Sequence, residues 1–177
     1  MANTSPANEK QSAIVLRDVR KHYGAVHAVD GVDLKIPQGQ VFGLIGHNGA
    51  GKSTLFKMML GLERPTSGHI TVAGADVAGP NFRAARRKLG YLPENVVLYD
   101  NLSGLETLNF FARLKGAHLK ECPSLLDKVG LSHAGKRAVR EYSKGMRQRL
   151  GFAQALLGKP EVLFLDEPTN GLDPQAI

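Results

Sequence analysis

Residues Gly46 to Ser53 read GHNGAGKS, and far down the chain two acidic residues, Asp166 and Glu167, stand side by side. The first run is a complete G-x-x-x-x-G-K-[ST] pattern, whose chemistry is the cradling of phosphates. Its glycines let the backbone wrap closely around an anion with N–H groups turned inward. The Lys52 ammonium can reach β- and γ-phosphate oxygens, and the Ser53 hydroxyl can take a Mg2+ coordination place. Thr54 is expected on the α-phosphate. Gly46, His47, Asn48, Gly49, Ala50, Gly51, Lys52, Ser53 and Thr54 are thus the expected nucleotide-binding residues. Asp166 suits Mg2+, held through water. Glu167 is placed to polarise an attacking water as general base. The competing readings are an ordinary Gly-rich turn and a pair of plain surface acids. Taken together, the two patterns point to hydrolysis of a Mg2+-bound nucleoside triphosphate.

Such residues act only where regular elements present them. Val41 to Ile45 (VFGLI) is a continuous apolar run, expected to be a strand buried on both faces. The helix expected over Lys52 to Leu60 would turn its positive N-terminal end toward the phosphates. Val162 to Leu165 (VLFL) reads as another fully buried strand, delivering Asp166 at its end. Ile14 to Arg20 and Val32 to Ile36 alternate apolar and polar residues, as half-buried strands do. Ile70 and Val72 mark a further short strand. The middle of the chain is helical. Ser103 and Glu106 form a capping box ahead of Leu108, Phe111 and Leu114. Leu125, Leu126 and Val129 suggest a second helix stopped at Gly130. Ser143 can N-cap a third, with Met146, Leu150, Ala153 and Leu157 on its inner stripe. Gly158 and Pro160 stop it. The pattern is an α/β core with an N-terminal antiparallel β region and a helical insert over about 95–158.

The 177 residues, 42% hydrophobic, make one domain with a real core. Residues 1–12 are polar and read as a disordered tail ahead of a domain over 13–177. They hold no apolar h-region, and no apolar stretch in the sequence is long enough to span a bilayer. The lone Cys122 excludes an intrachain disulfide and reads as an ordinary helix residue. The six histidines show no ligand spacing with one another or with Cys122, so no zinc-type site is expected. Two basic clusters, Arg83 to Lys88 and Lys136 to Arg149, carry much of the net charge of +7. They read first as a solvated face and second as attraction to anionic lipid. Nucleic acid ranks last, because the clusters lack interleaved aromatics.

Tyr142 to Leu150 (YSKGMRQRL) narrows the reading. It resembles the signature of ABC-type ATPases, usually LSGGQ; Ser143 and Gly145 match, while Tyr142, Lys144 and Met146 depart. The resemblance implies a P-loop NTPase core of ABC type, in which Ser143 and Gly145 close on the γ-phosphate held by a second subunit. It implies that Tyr23, in Lys21-His22-Tyr23-Gly24, stacks on adenine; a plain turn tyrosine is the alternative. Glu94 stands where the family usually has a Gln near Mg2+, and so joins Ser53 and Asp166 as an expected metal-site residue. Thr169 to Pro174 (TNGLDP) resembles the acidic loop at the family's dimer interface, with Asp173 as its carboxylate. The YSKGM form is similar to cassettes serving ABC-2-type permeases. GHNGAGK, YLPENV, Leu102 to Ala117 and YSKGMRQRLGFAQALLG resemble cassettes that support maturation of the copper enzyme nitrous oxide reductase. The implied partners are a second cassette, an integral membrane permease and a periplasmic protein; the implied place is the cytoplasmic face of the inner membrane. The implied function is export of a copper- or sulfur-related species. The alternatives are export of a drug, lipid or polysaccharide, a soluble ABC ATPase acting on ribosomes or DNA, and a non-catalytic nucleotide-binding fragment. The family's pattern continues past the TNGLDP loop to a strand and a switch histidine, so the chain reads as a cassette truncated at its C-terminus.

Overall fold

A computed structural model describes residues 12–47, 49 and 51–168. The expected tail up to residue 11, Asn48 and Ala50 of the glycine-rich run, and the loop from Thr169 to Pro174 lie outside the described residues. The chain divides into two compact units, one ending at Arg86 and one beginning at Arg87.

The first unit is built on a long hairpin. β1 (Ser12–Tyr23) and β2 (Val26–Pro37) pair antiparallel. β3 (Ser67–Val72) and the short β4 (Ala75–Asp76) complete a sheet in the order β2-β1-β3-β4. The expected alternation is there: Ile14 and Leu16 on β1 and Ile70 and Val72 on β3 are buried. On β1 it changes phase after Leu16. Asp18 has φ of 43°, the pairing shifts between Leu16 and Val19, and Val19 rather than Asp18 is then buried. An extra residue in one strand of a ladder does this by turning the following side chains to the other face. Both strands run longer than the apolar alternation alone indicated. α1 (Lys52–Met59) buries Leu55, Met58 and Met59, and the short α2 (Phe82–Ala85) buries Phe82.

The second unit pairs β5 (Leu89–Leu92) with β6 (Val162–Leu165) in parallel, Leu89 opposite Val162 and Leu92 opposite Leu165. α3 (Gly104–Lys115), α4 (Cys122–Lys128) and α5 (Lys144–Ala155) surround a cluster that includes Leu108, Leu126, Leu131, Val139, Tyr142 and Leu150. The capping box is formed: Glu106 N donates to Ser103 Oγ at 3.3 Å, and Ser103 N donates to Glu106 Oε2 at 2.8 Å. Gly116 and Gly130, with φ of 75° and 67°, follow α3 and α4 in the left-handed region that ends helices. Cys122 is buried at the start of α4, and burial pushes its thiol up, so it serves packing.

Two expectations are corrected. Val41 to Ile45 is not a buried strand: it is irregular, with Val41 and Ile45 almost fully exposed. A parallel strand needs hydrogen-bonding neighbours along its edges, and among the described residues no strand pairs with this run. β6 is not buried on both faces either. Val162 and Phe164 are buried while Leu163 and Leu165 are half-buried, as suits a strand with one described neighbour.

Candidate functional site

Within the first unit, the glycine-rich run enters α1 through two left-handed glycines, Gly49 (φ 86°) and Gly51 (φ 79°). Gly51 occupies the N-cap of α1 and so supplies no capping side chain, and the first turn holds no acidic residue. The opening N–H groups of a helix have no intrahelical acceptors, and here no side chain of the cap competes with an anion for them. Gly51 also has no room for more: a Cβ there would lie 2.1 Å from Ala28 O. Lys52 turns back over the loop, its Nζ donating to Gly46 O at 2.5 Å and to His47 O at 2.8 Å. The ammonium is therefore held beside the glycine-rich backbone by neutral carbonyls, contacts that a phosphate's negative charge outbids. Ser53 is exposed and Thr54 half-buried on the first turn.

Tyr23 closes β1 and is 47% exposed. Its hydroxyl donates to Glu63 Oε1 at 2.5 Å, and Lys21 Nζ lies 3.0 Å from the same carboxylate and 4.9 Å above the Tyr23 ring. The hydrogen bond to Glu63 raises the tyrosine pKa, aided by burial and the carboxylate's charge. The same bond, with that from Lys21, lowers the pKa of Glu63. The ring is thus held through its hydroxyl, with Lys21 over one face. Glu63 sits in a turn-like ERPTSG run, and no sequence pattern marked it as the anchor of Tyr23.

Within the second unit, parallel pairing puts the ends of β5 and β6 at the same edge. Asp166 N donates to Leu92 O at 2.9 Å, which carries the ladder one residue beyond β6. Glu94 follows β5 by two residues and is exposed; Asp166 is half-buried and Glu167 exposed. Burial, then the charge of Asp166, pushes the Tyr91 phenol up. Glu167 adopts φ of 48°, turning the chain sharply after the strand. Glu94 and Asp166 offer hard carboxylate oxygens, a donor type Mg2+ takes.

Ser143 is exposed at the N-cap of α5, its Oγ accepting from Met146 N at 3.2 Å. The first turn has no acidic residue, so this helix start too favours an anion. The departures from LSGGQ have structural uses. Tyr142 is buried and its hydroxyl donates to Ala134 O at 2.7 Å, while Met146 packs against the helical cluster. Arg147, one residue on, pairs with Asp100 at 2.7 Å. Gly145 is half-buried in the same turn.

A model of the ABC transporter family matches residues 29–170. The chain is 44% identical over 161 residues to the bacitracin transport ATP-binding protein BcrA of Bacillus licheniformis, covering 90% of this chain and 52% of that one. It is 43% identical over 168 residues to the daunorubicin resistance ATP-binding protein DrrA3 of Streptomyces coeruleorubidus, covering 93% and 53%. The chain thus spans about half the length of these curated relatives. Among solved structures, it superposes with a TM-score of 0.82 on the ATP-binding cassette MJ0796, a dimer in a post-hydrolysis state bound to ADP and Pi. That match is 26% identical and covers 92% of this chain and 77% of that one. No helix among the described residues is long and apolar enough to cross a membrane.

Proposed function

Because the chain belongs to the ABC transporter family, we propose that it is the ATP-binding and ATP-hydrolysing part of a transporter that energises a separate membrane permease. The observation that supports this best is the start of α1, where an uncapped left-handed Gly51 meets a lysine folded over the glycine-rich backbone. In this reading Gly46 to Thr54 hold the phosphates, and Tyr23 stacks on adenine. Ser53, Glu94 and Asp166 serve Mg2+, and Glu167 polarises water. Mg2+ supplies charge neutralisation on the phosphates. Residues 13–177 form the ATP-binding domain, with its helical subdomain over about 95–158. Two cassettes act as a dimer in which Ser143 and Gly145 of one complete the site of the other. The cassette works at the cytoplasmic face of the membrane, against the permease. Relatives named for bacitracin transport and daunorubicin resistance support an exporter.

A narrower reading has one specific support. GHNGAGK, YLPENV and YSKGMRQRLGFAQALLG resemble NosF, the ATPase that serves nitrous oxide reductase maturation. On that reading the cargo is a copper- or sulfur-related species and a periplasmic protein joins the complex. Genes for a six-span permease and a periplasmic repeat protein beside this one would favour it; genes for antibiotic synthesis would favour drug export.

The main reading is tested by mixing. A Ser143→Arg cassette and a Lys52→Ala cassette are each expected to lack a working site alone. Mixed, they leave one composite site with both native halves, and partial ATPase activity should return. A mixture no better than the sum of its parts refutes the shared site.

A further inference from the structure

β1 and β2 carry a group of metal-ligating side chains that sequence spacing does not reveal. His22 and His27 face each other across the hairpin as direct register partners. Their rings stack with centroids 3.9 Å apart and planes 13° from parallel. Asp30 joins them, and one ligand atom from each of the three lies within 4.8 Å of the others. On a regular strand His27 and Asp30 would point to opposite faces, because they stand three positions apart. The register explains why they do not. Lys21 pairs with Val29 and His22 with His27, so Ala28 is an extra residue in β2. That bulge restores the parity and puts His27 and Asp30 on one face. Lys21, Tyr23 and the buried Val29 then occupy the other face.

A second observation is independent of this clustering. His22 Nε2 is buried and has no hydrogen-bond partner among the described residues. A buried polar nitrogen without a partner is costly, so each such atom calls for a ligand, ion or water. From this geometry we propose that His22, His27 and Asp30 form a binding site for a borderline divalent transition-metal ion, of the Zn2+ or Cu2+ class. Two imidazoles and one carboxylate suit such ions; an all-oxygen set would suit Mg2+ or Ca2+. With bonds of about 2.0–2.2 Å, tetrahedral ligand atoms lie roughly 3.3–3.5 Å apart. The group must close by about an ångström, and His27 must tilt out of the stack. His27 and Asp30 are both exposed and can move; His22 is the half-buried fixed point. Asp30 is at present bonded to Arg20 Nη1 at 2.5 Å. Releasing it leaves Arg20 paired with Asp18 through Nε at 3.1 Å and Nη2 at 2.8 Å. The bond given up is an exposed ion pair, and such pairs contribute little. Three protein ligands leave an open coordination position. The bound ion clamps β1 to β2 across the bulge, on the face opposite Tyr23.

The test uses the whole chain, free of any affinity tag and of nucleotide. It is titrated with Zn2+ by calorimetry and with Co2+ by visible absorption. Saturable 1:1 Zn2+ uptake and Co2+ ligand-field bands that Zn2+ abolishes are expected. His27→Gln, an exposed change that leaves the fold intact, should weaken Zn2+ binding by about tenfold or more. Asp30→Asn should weaken it too, and His118→Gln, in the other unit, should leave it unchanged. Absence of saturable uptake, or uptake equal in the parent and in His27→Gln, overturns the proposal.

Discussion

The packing beneath Ser143 can be tested with a two-residue cycle in which the cost of one substitution depends on the other. Gly104 opens α3 and Tyr142 lies against it. A Cβ at position 104 would stand 2.2 Å from the Tyr142 hydroxyl oxygen, 3.2 Å from Cζ and 3.6 Å from Cε2. The hydroxyl cannot swing away freely, because it donates to Ala134 O. Gly104→Ala should therefore cost about 1–3 kcal/mol, as overpacking does. Tyr142→Phe alone removes one hydrogen bond. It does not orphan Ala134 O, which still accepts from Arg137 N at 2.9 Å. Its cost should be the ordinary one, about 1 kcal/mol. With the hydroxyl gone, the nearest atom to the new methyl is at 3.2 Å and the clash becomes a tight contact. Alanine also recovers some of glycine's backbone entropy cost, roughly 0.5–1 kcal/mol inside a helix. Gly104→Ala should then be near neutral in the Tyr142→Phe background, a coupling of about 1–3 kcal/mol. Urea unfolding followed by far-UV circular dichroism measures it, since the chain has no Trp. Equal costs of Gly104→Ala in both backgrounds would refute the argument.

Three further outcomes are expected. Lys52→Ala should weaken Mg-ATP binding by about 10–100-fold in a fluorescent-nucleotide titration, the loss of one charge-assisted contact; unchanged affinity would reject Lys52 as a phosphate ligand. Glu167→Gln should keep ATP binding and lower turnover by about 10²–10⁴-fold, because the amide keeps the shape and removes the base; normal steady-state hydrolysis would remove Glu167 from that role. Ser103→Ala should lower stability by about 1 kcal/mol. The hydrogen bonds that Ser103 gives to Glu106 lower this carboxylate's folded pKa. Their contribution is thus present above the unfolded pKa and is lost as pH falls through the folded value. Ser103→Ala should accordingly flatten the acid limb of the stability profile, and an acid limb of unchanged steepness would count against it.

Several elements were legible because their signals are local. The Ser103–Glu106 box, the Ser143 cap and Gly130 after α4 each act at a helix end within a few residues, and each stands where the residue types placed it. The hairpin strands showed through alternation. What was hidden depended on pairing. VFGLI has the composition of a buried strand, yet composition cannot supply the neighbours a parallel strand needs. β5 was too short to read as a strand before its register with β6 was seen. The His22–His27–Asp30 group depends on one bulged residue, Ala28, that no residue type announced. At the candidate site, the glycine-rich run and the acidic pair were legible as motifs, while the Glu63 anchor of Tyr23 came only from the fold.

Glu167 carries a consequence for how this protein can change. A glutamate at φ 48° sits where a side chain pays for its Cβ, and glycine, or to a lesser degree asparagine, would relax there. The cost stored at such a position is about 1–3 kcal/mol. Selection of random variants for heat resistance alone would therefore favour Glu167→Gly or Glu167→Asn. On the proposed function the same variants would bind ATP and fail to turn it over. Durability and catalysis pull in opposite directions at this one residue, so a lineage that keeps glutamate here does so under selection for work.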